Sequence, residues 1–206
     1  MGLLCKLAEQ MRKPSGVLAP LAGLMFRLNR EGIDWTIDLL DIQPSDCVLE
    51  VGFGPGDAIQ KVTTIVSQGS VTGVDFSQAM LRKARKRNAG AYSAGRIQLI
   101  IADACDLPCA EDSFDKAFVI NVIYFWSDPV VPLKELHRVL KPGGSVALYM
   151  VAKQDLKKFP PAKTSVYSLY TGEEVVKLLT EAGFRRARFE AKGEKLRTGV
   201  CVLAER

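Results

Sequence analysis

The sequence predicts an α/β fold: a doubly wound, seven-stranded, mostly parallel sheet with helices on both faces, an antiparallel edge hairpin, and an N-terminal helical arm before it. Three observations predict it. Past residue 46, short β-branched runs alternate with amphipathic stretches of helical period, the pattern of successive βαβ units. The segment Val48-Leu49-Glu50-Val51-Gly52-Phe53-Gly54-Pro55-Gly56-Asp57 leads an apolar run into a helix through three glycines at alternate positions. Such a turn lets backbone lie directly against a ligand. Finally, residues 184–190 and 198–204 alternate apolar with polar side chains, as an antiparallel pair does.

The runs 48–51, 70–75, 97–103, 114–122 and 145–151 read as the parallel strands, most of them bounded by Gly, Asp or Pro. Residues 59–66, 78–88, 130–140 and 173–182 read as helices. Ser77 is placed to cap the second of these, and Thr171 with Glu174 forms a capping box for the last. Gly183 stands where a C-terminal glycine ends that helix, and Lys141-Pro142-Gly143-Gly144 stops the one that Leu140 finishes.

Two segments fall outside this alternation. Residues 1–45 form the arm, with helical stretches at 3–11 and 21–40; residues 46–206 form one domain. In the arm, Leu18, Leu21, Leu24, Met25 and Leu28 make an apolar stripe with Arg27 and Arg30 near the other side. That stripe suits a lid over the sheet, with peripheral membrane contact as the second option. The connection 153–170 contains Pro160-Pro161 and three aromatics and is long for a compact α/β domain, which makes it another candidate lid.

Composition narrows the function classes. With 206 residues, 48% hydrophobic and 25% charged, the chain is that of an ordinary globular protein. No run approaches the length that spans a bilayer and the start lacks a leader-like apolar core, so a cytoplasmic location is expected. Five scattered cysteines without a CxxC pair, and a lone His137, offer no metal-ligand spacing, and no metal is expected. The net charge is +5 and the pI near 9.0, but the basic clusters at 82–87 and 185–188 are interleaved with apolar residues. They read as solvated faces, and nucleic acid is not the expected partner.

The chemistry gathers at one sheet edge. Asp75 closes the second strand, Asp103 the third and Asn121 the fourth, beside the glycine turn of the first. An acid after the second strand can accept hydrogen bonds from ribose hydroxyls. The turn is Gly52-x-Gly54-x-Gly56, not the G-x-G-x-x-G of dinucleotide folds, and no Gly-Lys-Ser/Thr of a P-loop follows. Its flanking carboxylates, Glu50 and Asp57, suit a cationic or zwitterionic ligand better than a pyrophosphate.

These residues resemble the class I S-adenosylmethionine (SAM) dependent methyltransferases, especially the small type 11 group that includes the ubiquinone and menaquinone methylases. The resemblance covers about residues 46–152. It rests on Glu50-Val51-Gly52-Phe53-Gly54-Pro55-Gly56, Gly73-Val74-Asp75-Phe76-Ser77, Asp103-Ala104-Cys105-Asp106-Leu107-Pro108, Phe114-Asp115 and Arg138-Val139-Leu140-Lys141-Pro142-Gly143-Gly144, in that order. It implies a Rossmann-like fold with SAM as cofactor and S-adenosylhomocysteine as product.

By the same resemblance, Gly52, Gly54 and Gly56 would pass under the methionine and ribose parts of SAM, with Glu50 fixing the turn or meeting the amino group. Asp75 would hold the ribose, and Phe76 with Met80 would pack on the adenine. Asp103 would accept from the adenine amino group while Ala104 offers a backbone N–H, and Asn121 and Val122 would border the methionine end. Tyr124 and Trp126 follow the fourth strand and are candidates for the acceptor pocket. No general base stands out, and His137 reads as structural. The expected function is methyl transfer by in-line displacement to a small, hydrophobic acceptor such as a quinone, phenol, lipid amine or secondary metabolite. The alternatives are a SAM-fold binding protein without catalysis, or a methyltransferase acting on protein or RNA.

Overall fold

The computed structural model describes residues 2–13 and 29–206, so the stripe from Leu18 to Leu28 lies outside the described residues. Helices α1 (Leu3–Arg12) and α2 (Arg30–Leu40) precede the sheet. Then follow β1 (Cys47–Val51), α3 (Asp57–Ile65), β2 (Ser70–Asp75), α4 (Gln78–Arg87), α5 (Ala89–Ser93), β3 (Ile97–Ile101) and β4 (Phe114–Ile120). The second half comprises α6 (Val130–Val139), β5 (Leu140–Val151), α7 (Lys153–Leu156), α8 (Gly172–Glu181), β6 (Arg185–Gly193) and β7 (Thr198–Glu205). Short 3-10 turns occupy Ile123–Phe125 and Pro160–Lys163.

The seven strands lie in the order β3-β2-β1-β4-β5-β7-β6. β1 to β5 run parallel, β7 is antiparallel to β5, and β6 is antiparallel to β7. This is the predicted sheet with its edge hairpin. The winding reverses between β1 and β4, and at such a switch point the loops beyond the carboxyl strand ends part to leave a crevice.

Alternation along each strand feeds two cores. Leu49 and Val51 join Leu133, Leu136, Val175 and Leu179 of α6 and α8 on one face. Val48 and Phe118 join Ile59 and Val62 of α3, and Met80 of α4, on the other. Ile33, Ile37 and Leu40 of α2 sit in this second core beside Tyr149. The second arm helix is therefore a layer of the packed body, and the residue just before it, Asn29, is held at the sheet's ligand edge.

The helix signals act as expected. The Met80 N–H donates to Ser77 Oγ at 3.4 Å. At α8 the capping box is complete, with the Glu174 N–H donating to Thr171 Oγ1 at 3.2 Å and the Thr171 N–H to Glu174 Oε2 at 2.7 Å. Removing it with Thr171→Ala should cost about 1 kcal/mol, read as a lower urea midpoint with unchanged slope.

Strand ends differ from the expected ones. β3 stops at Ile101, not 103, because Asp103 turns its Oδ1 back to the Cys105 N–H at 2.9 Å. β4 stops at Ile120, not 122, because Asn121 adopts φ 57°, which leaves the β region. β6 extends to Gly193, with a register break between Arg185 and Arg188 where Arg186 takes φ 50°. The connection 153–170 contains α7 and a 3-10 turn, and that turn packs against α1. No helix among the described residues is long and apolar enough to cross a membrane.

Candidate functional site

The glycine turn and Asp75 are built as one unit. The Gly52 N–H donates to the Val74 carbonyl at 2.7 Å, pinning the turn to β2. The Gly54 N–H donates to Asp75 Oδ2 at 2.9 Å, and the Ser77 N–H to Asp75 Oδ1 at 2.8 Å. Each carboxylate oxygen keeps one lone-pair direction for another donor. Gly52 has φ 82°, and a Cβ there would meet Val122 Cγ2 at 2.3 Å, so the turn and the start of the loop after β4 touch without room for a side chain. Gly56 also has φ 82°, but its Cβ direction faces Asn88 and Ala84. It joins the turn to α4, and Asn88 Nδ2 donates to its carbonyl at 3.1 Å. Asp57 ion-pairs with Arg87 of α4 and so serves the packing of α3 on α4.

Buried acids give the site its electrostatics. Glu50 is 3% exposed and its Oε2 has no hydrogen-bond partner. Burial, and next the charge of Asp75, hold the Glu50 carboxyl well above the ordinary carboxylate range. Burial likewise pushes Asp75 from 3.8 up to about 6, opposed by the N–H donors of Ser77 and Gly54.

A cleft of about 890 Å³, counted to its open mouth, lies over the switch point. It brings together Gly52, Gly54, Asp75, Phe76, Met80, Asp103, Ala104, Asn121 and Val122 of the expected set, and Trp126 as well. Met11 and Arg12 of α1 close one side, and Lys13 Nζ stands 5.4 Å from the centre of the Phe76 ring. Glu50 lines a small recess that continues from the cleft past Gly52 and Gly54.

A second, more apolar cavity of about 1210 Å³ on the same measure adjoins the cleft, with Met11, Asn29, Asn121 and Phe125 common to both. Its walls include Tyr124, Leu156, Phe159 and Tyr167, with the rings of Phe125 and Tyr167 edge to face at 4.8 Å. Tyr124 is thus in the second cavity and Trp126 in the first. The Tyr124 hydroxyl accepts from the Val151 N–H and donates to Asn121 Oδ1, and burial raises its pKa, so it is committed to structure and unsuited to act as a base.

His137 packs edge-on against Phe184, with ring centres 5.1 Å apart, and lines neither cavity. Burial raises the thiols of Cys105 and Cys109 above the ordinary range. Among the described residues no group of three or more His, Cys, Asp or Glu side chains is placed to hold a metal.

Asn29, Phe125 and Arg197 are site residues that sequence reasoning missed. The three aromatics counted in 153–170 were a signal for Phe159 and Tyr167. Nothing in the sequence singles out Asn29.

A family model described as "Methyltransferase domain" matches residues 48–144. The uncharacterized methyltransferase YdaC of Bacillus subtilis is 29% identical over 90% of this chain and 98% of its own length. The ubiquinone/menaquinone biosynthesis C-methyltransferase UbiE of Geotalea daltonii is 33% identical, over 68% of this chain and 62% of that protein. The crystal structure of a SAM dependent methyltransferase from Aquifex aeolicus superimposes with a TM-score of 0.73 at 21% identity, covering 97% of each chain.

Proposed function

We propose that the chain is a class I SAM-dependent methyltransferase of the ubiquinone/menaquinone-methylase-like type, and that it methylates a small, largely apolar molecule bound in the second cavity. The observation that carries this reading is the apolar, aromatic-walled cavity that adjoins the cleft and shares Asn29, Asn121 and Phe125 with it. A cavity of this lining and size suits a small molecule whose apolar body is buried and whose few polar groups fix its orientation.

The residues of the cleft fit the cofactor. Asp75 has lone pairs left for ribose hydroxyls, and Asp103, whose Oδ1 serves Cys105, has Oδ2 for the adenine amino group. Phe76 and Met80 supply apolar faces, with Ala104 beside them. In the recess, the partnerless Glu50 oxygen suits an ammonium. When bound, SAM supplies a methyl already activated on a sulfonium, so displacement needs an aligned nucleophile more than a catalytic base. Phe125 excludes water where the two cavities meet, Trp126 does so in the cleft, and Tyr124 keeps the wall between the cavities rigid by its bonds to Val151 and Asn121.

A methyl-transfer screen with labelled SAM against quinols, phenols, amines and thiols tests the proposal. The expected result is label on at least one small apolar acceptor. Label appearing only on protein or RNA, or none at all while SAM is bound, would overturn it.

A further inference from the structure

Asn29 lines the cleft, the Glu50 recess and the apolar cavity alike. It stands at the head of α2, where an asparagine ordinarily turns its oxygen onto the first helical amides. Here its side chain makes no capping bond. The oxygen is held elsewhere, by two donors at 3.0 Å: Asn121 Nδ2 from the end of β4 and Arg197 Nη2 from the β6–β7 hairpin.

The direction of these bonds is fixed by groups that can only donate. The Val151 N–H donates to the Tyr124 hydroxyl, which therefore spends its own hydrogen on Asn121 Oδ1 at 2.9 Å. That turns the Asn121 amide nitrogen to Asn29, and Arg197, which has no acceptor, makes the second bond to the same oxygen. The Asn29 carboxamide is thereby locked with its oxygen spent. Its two amide hydrogens have no partner among the described residues. The recess is thus bordered by an asparagine whose amide nitrogen is uncommitted and by a buried, partnerless carboxyl oxygen of Glu50.

We propose that Asn29 is a cofactor-binding residue whose amide nitrogen donates to the carboxylate of the methionine portion of SAM, opposite a Glu50 that receives the ammonium. A zwitterionic amino acid group needs this pairing of donors for one end and an acceptor for the other. The assignment rests on the reading of the cleft as the SAM site, and it places the end of the N-terminal arm in direct contact with the cofactor.

The two roles of Asn29, as acceptor for its neighbours and as donor to the ligand, come apart in Asn29→Asp. That variant keeps oxygens for Asn121 and Arg197 and loses the donors. Calorimetry is run with S-adenosylhomocysteine, which carries the amino acid group, and with 5′-methylthioadenosine, which lacks it. The Asn29→Asp variant should bind S-adenosylhomocysteine at least about tenfold more weakly than wild type, while methylthioadenosine binds both equally. Asn29→Ala, which adds no charge, should show the same selective loss, so the test survives if one variant does not fold. Wild-type affinity for S-adenosylhomocysteine in both variants, or an equal loss for the two ligands, would overturn the assignment. Failure of the wild-type protein to bind either ligand would instead overturn the reading of the cleft on which it rests.

Discussion

Asp75→Ala is expected to weaken SAM binding by about 1.5–3 kcal/mol, roughly 10- to 150-fold in Kd, because the charge-assisted bonds proposed for the ribose would be lost. The variant also strips the acceptor from two backbone donors. The Gly54 and Ser77 N–H groups both terminate on this carboxylate, so the glycine turn loses its tie to the end of β2 and the melting temperature should fall as well. Calorimetry checks the first effect and a thermal melt the second. Wild-type affinity in the variant would remove the ribose from Asp75.

The same carboxylate should make cofactor affinity depend on pH. Its pKa is raised in the folded protein, so its contribution to stability is fully present below about 3.8 and is lost as pH rises through about 6. Binding has the opposite sign, since the ionised form is the better acceptor for ribose hydroxyls. Affinity for SAM should therefore fall as pH drops below about 6, by at most about tenfold per unit, and level off once the roughly 1.5–3 kcal/mol of these bonds is lost, each unit being about 1.36 kcal/mol. In Asp75→Ala that slope should shrink, and what remains belongs to Glu50, the other carboxyl raised by burial.

Gly52→Ala is expected to be the most destabilising single change in the site. At φ 82° an alanine is strained by about 1–2 kcal/mol, and the overpacking against Val122 adds about 1–3 kcal/mol. Together these come to about 2–5 kcal/mol, a large fraction of the about 5–15 kcal/mol that holds a typical domain folded, so a large drop in the urea midpoint should follow. Gly52→Ala combined with Val122→Ala removes the clash and leaves the dihedral strain, so it should recover part of the loss. A single variant as stable as wild type would mean the turn can open away from Val122.

What the sequence made legible was local. The sheet, its helices and the edge hairpin follow from periodicities within ten or so residues, and the acids after β2 and β3 follow from their place at strand ends. The capping box at Thr171 and the stop at Gly183 are equally short-range. The polar lattice between the cavities is the opposite case. Asn29 meets Asn121 across 92 residues and Arg197 across 168, and no spacing pattern links positions so far apart. The left-handed turn at Asn121 was hidden for another reason: Val119-Ile120-Asn121-Val122-Ile123 reads as continuous strand, and only the asparagine's tolerance of positive φ lets the chain turn out of it. The helix in 153–156 is four residues long, too short to leave a period.

The position of β7 in the sheet ties the site to a distant part of the sequence. The strand lies inside the sheet, between β5 and β6, and Arg197 just before it fastens Asn29. Pairing of β7 with β5 therefore does two things at once: it closes the sheet beside β5 and it brings the second donor to Asn29. Losing Arg197 and β7 would leave Asn29 with one donor, Asn121, and β5 with an unpaired edge.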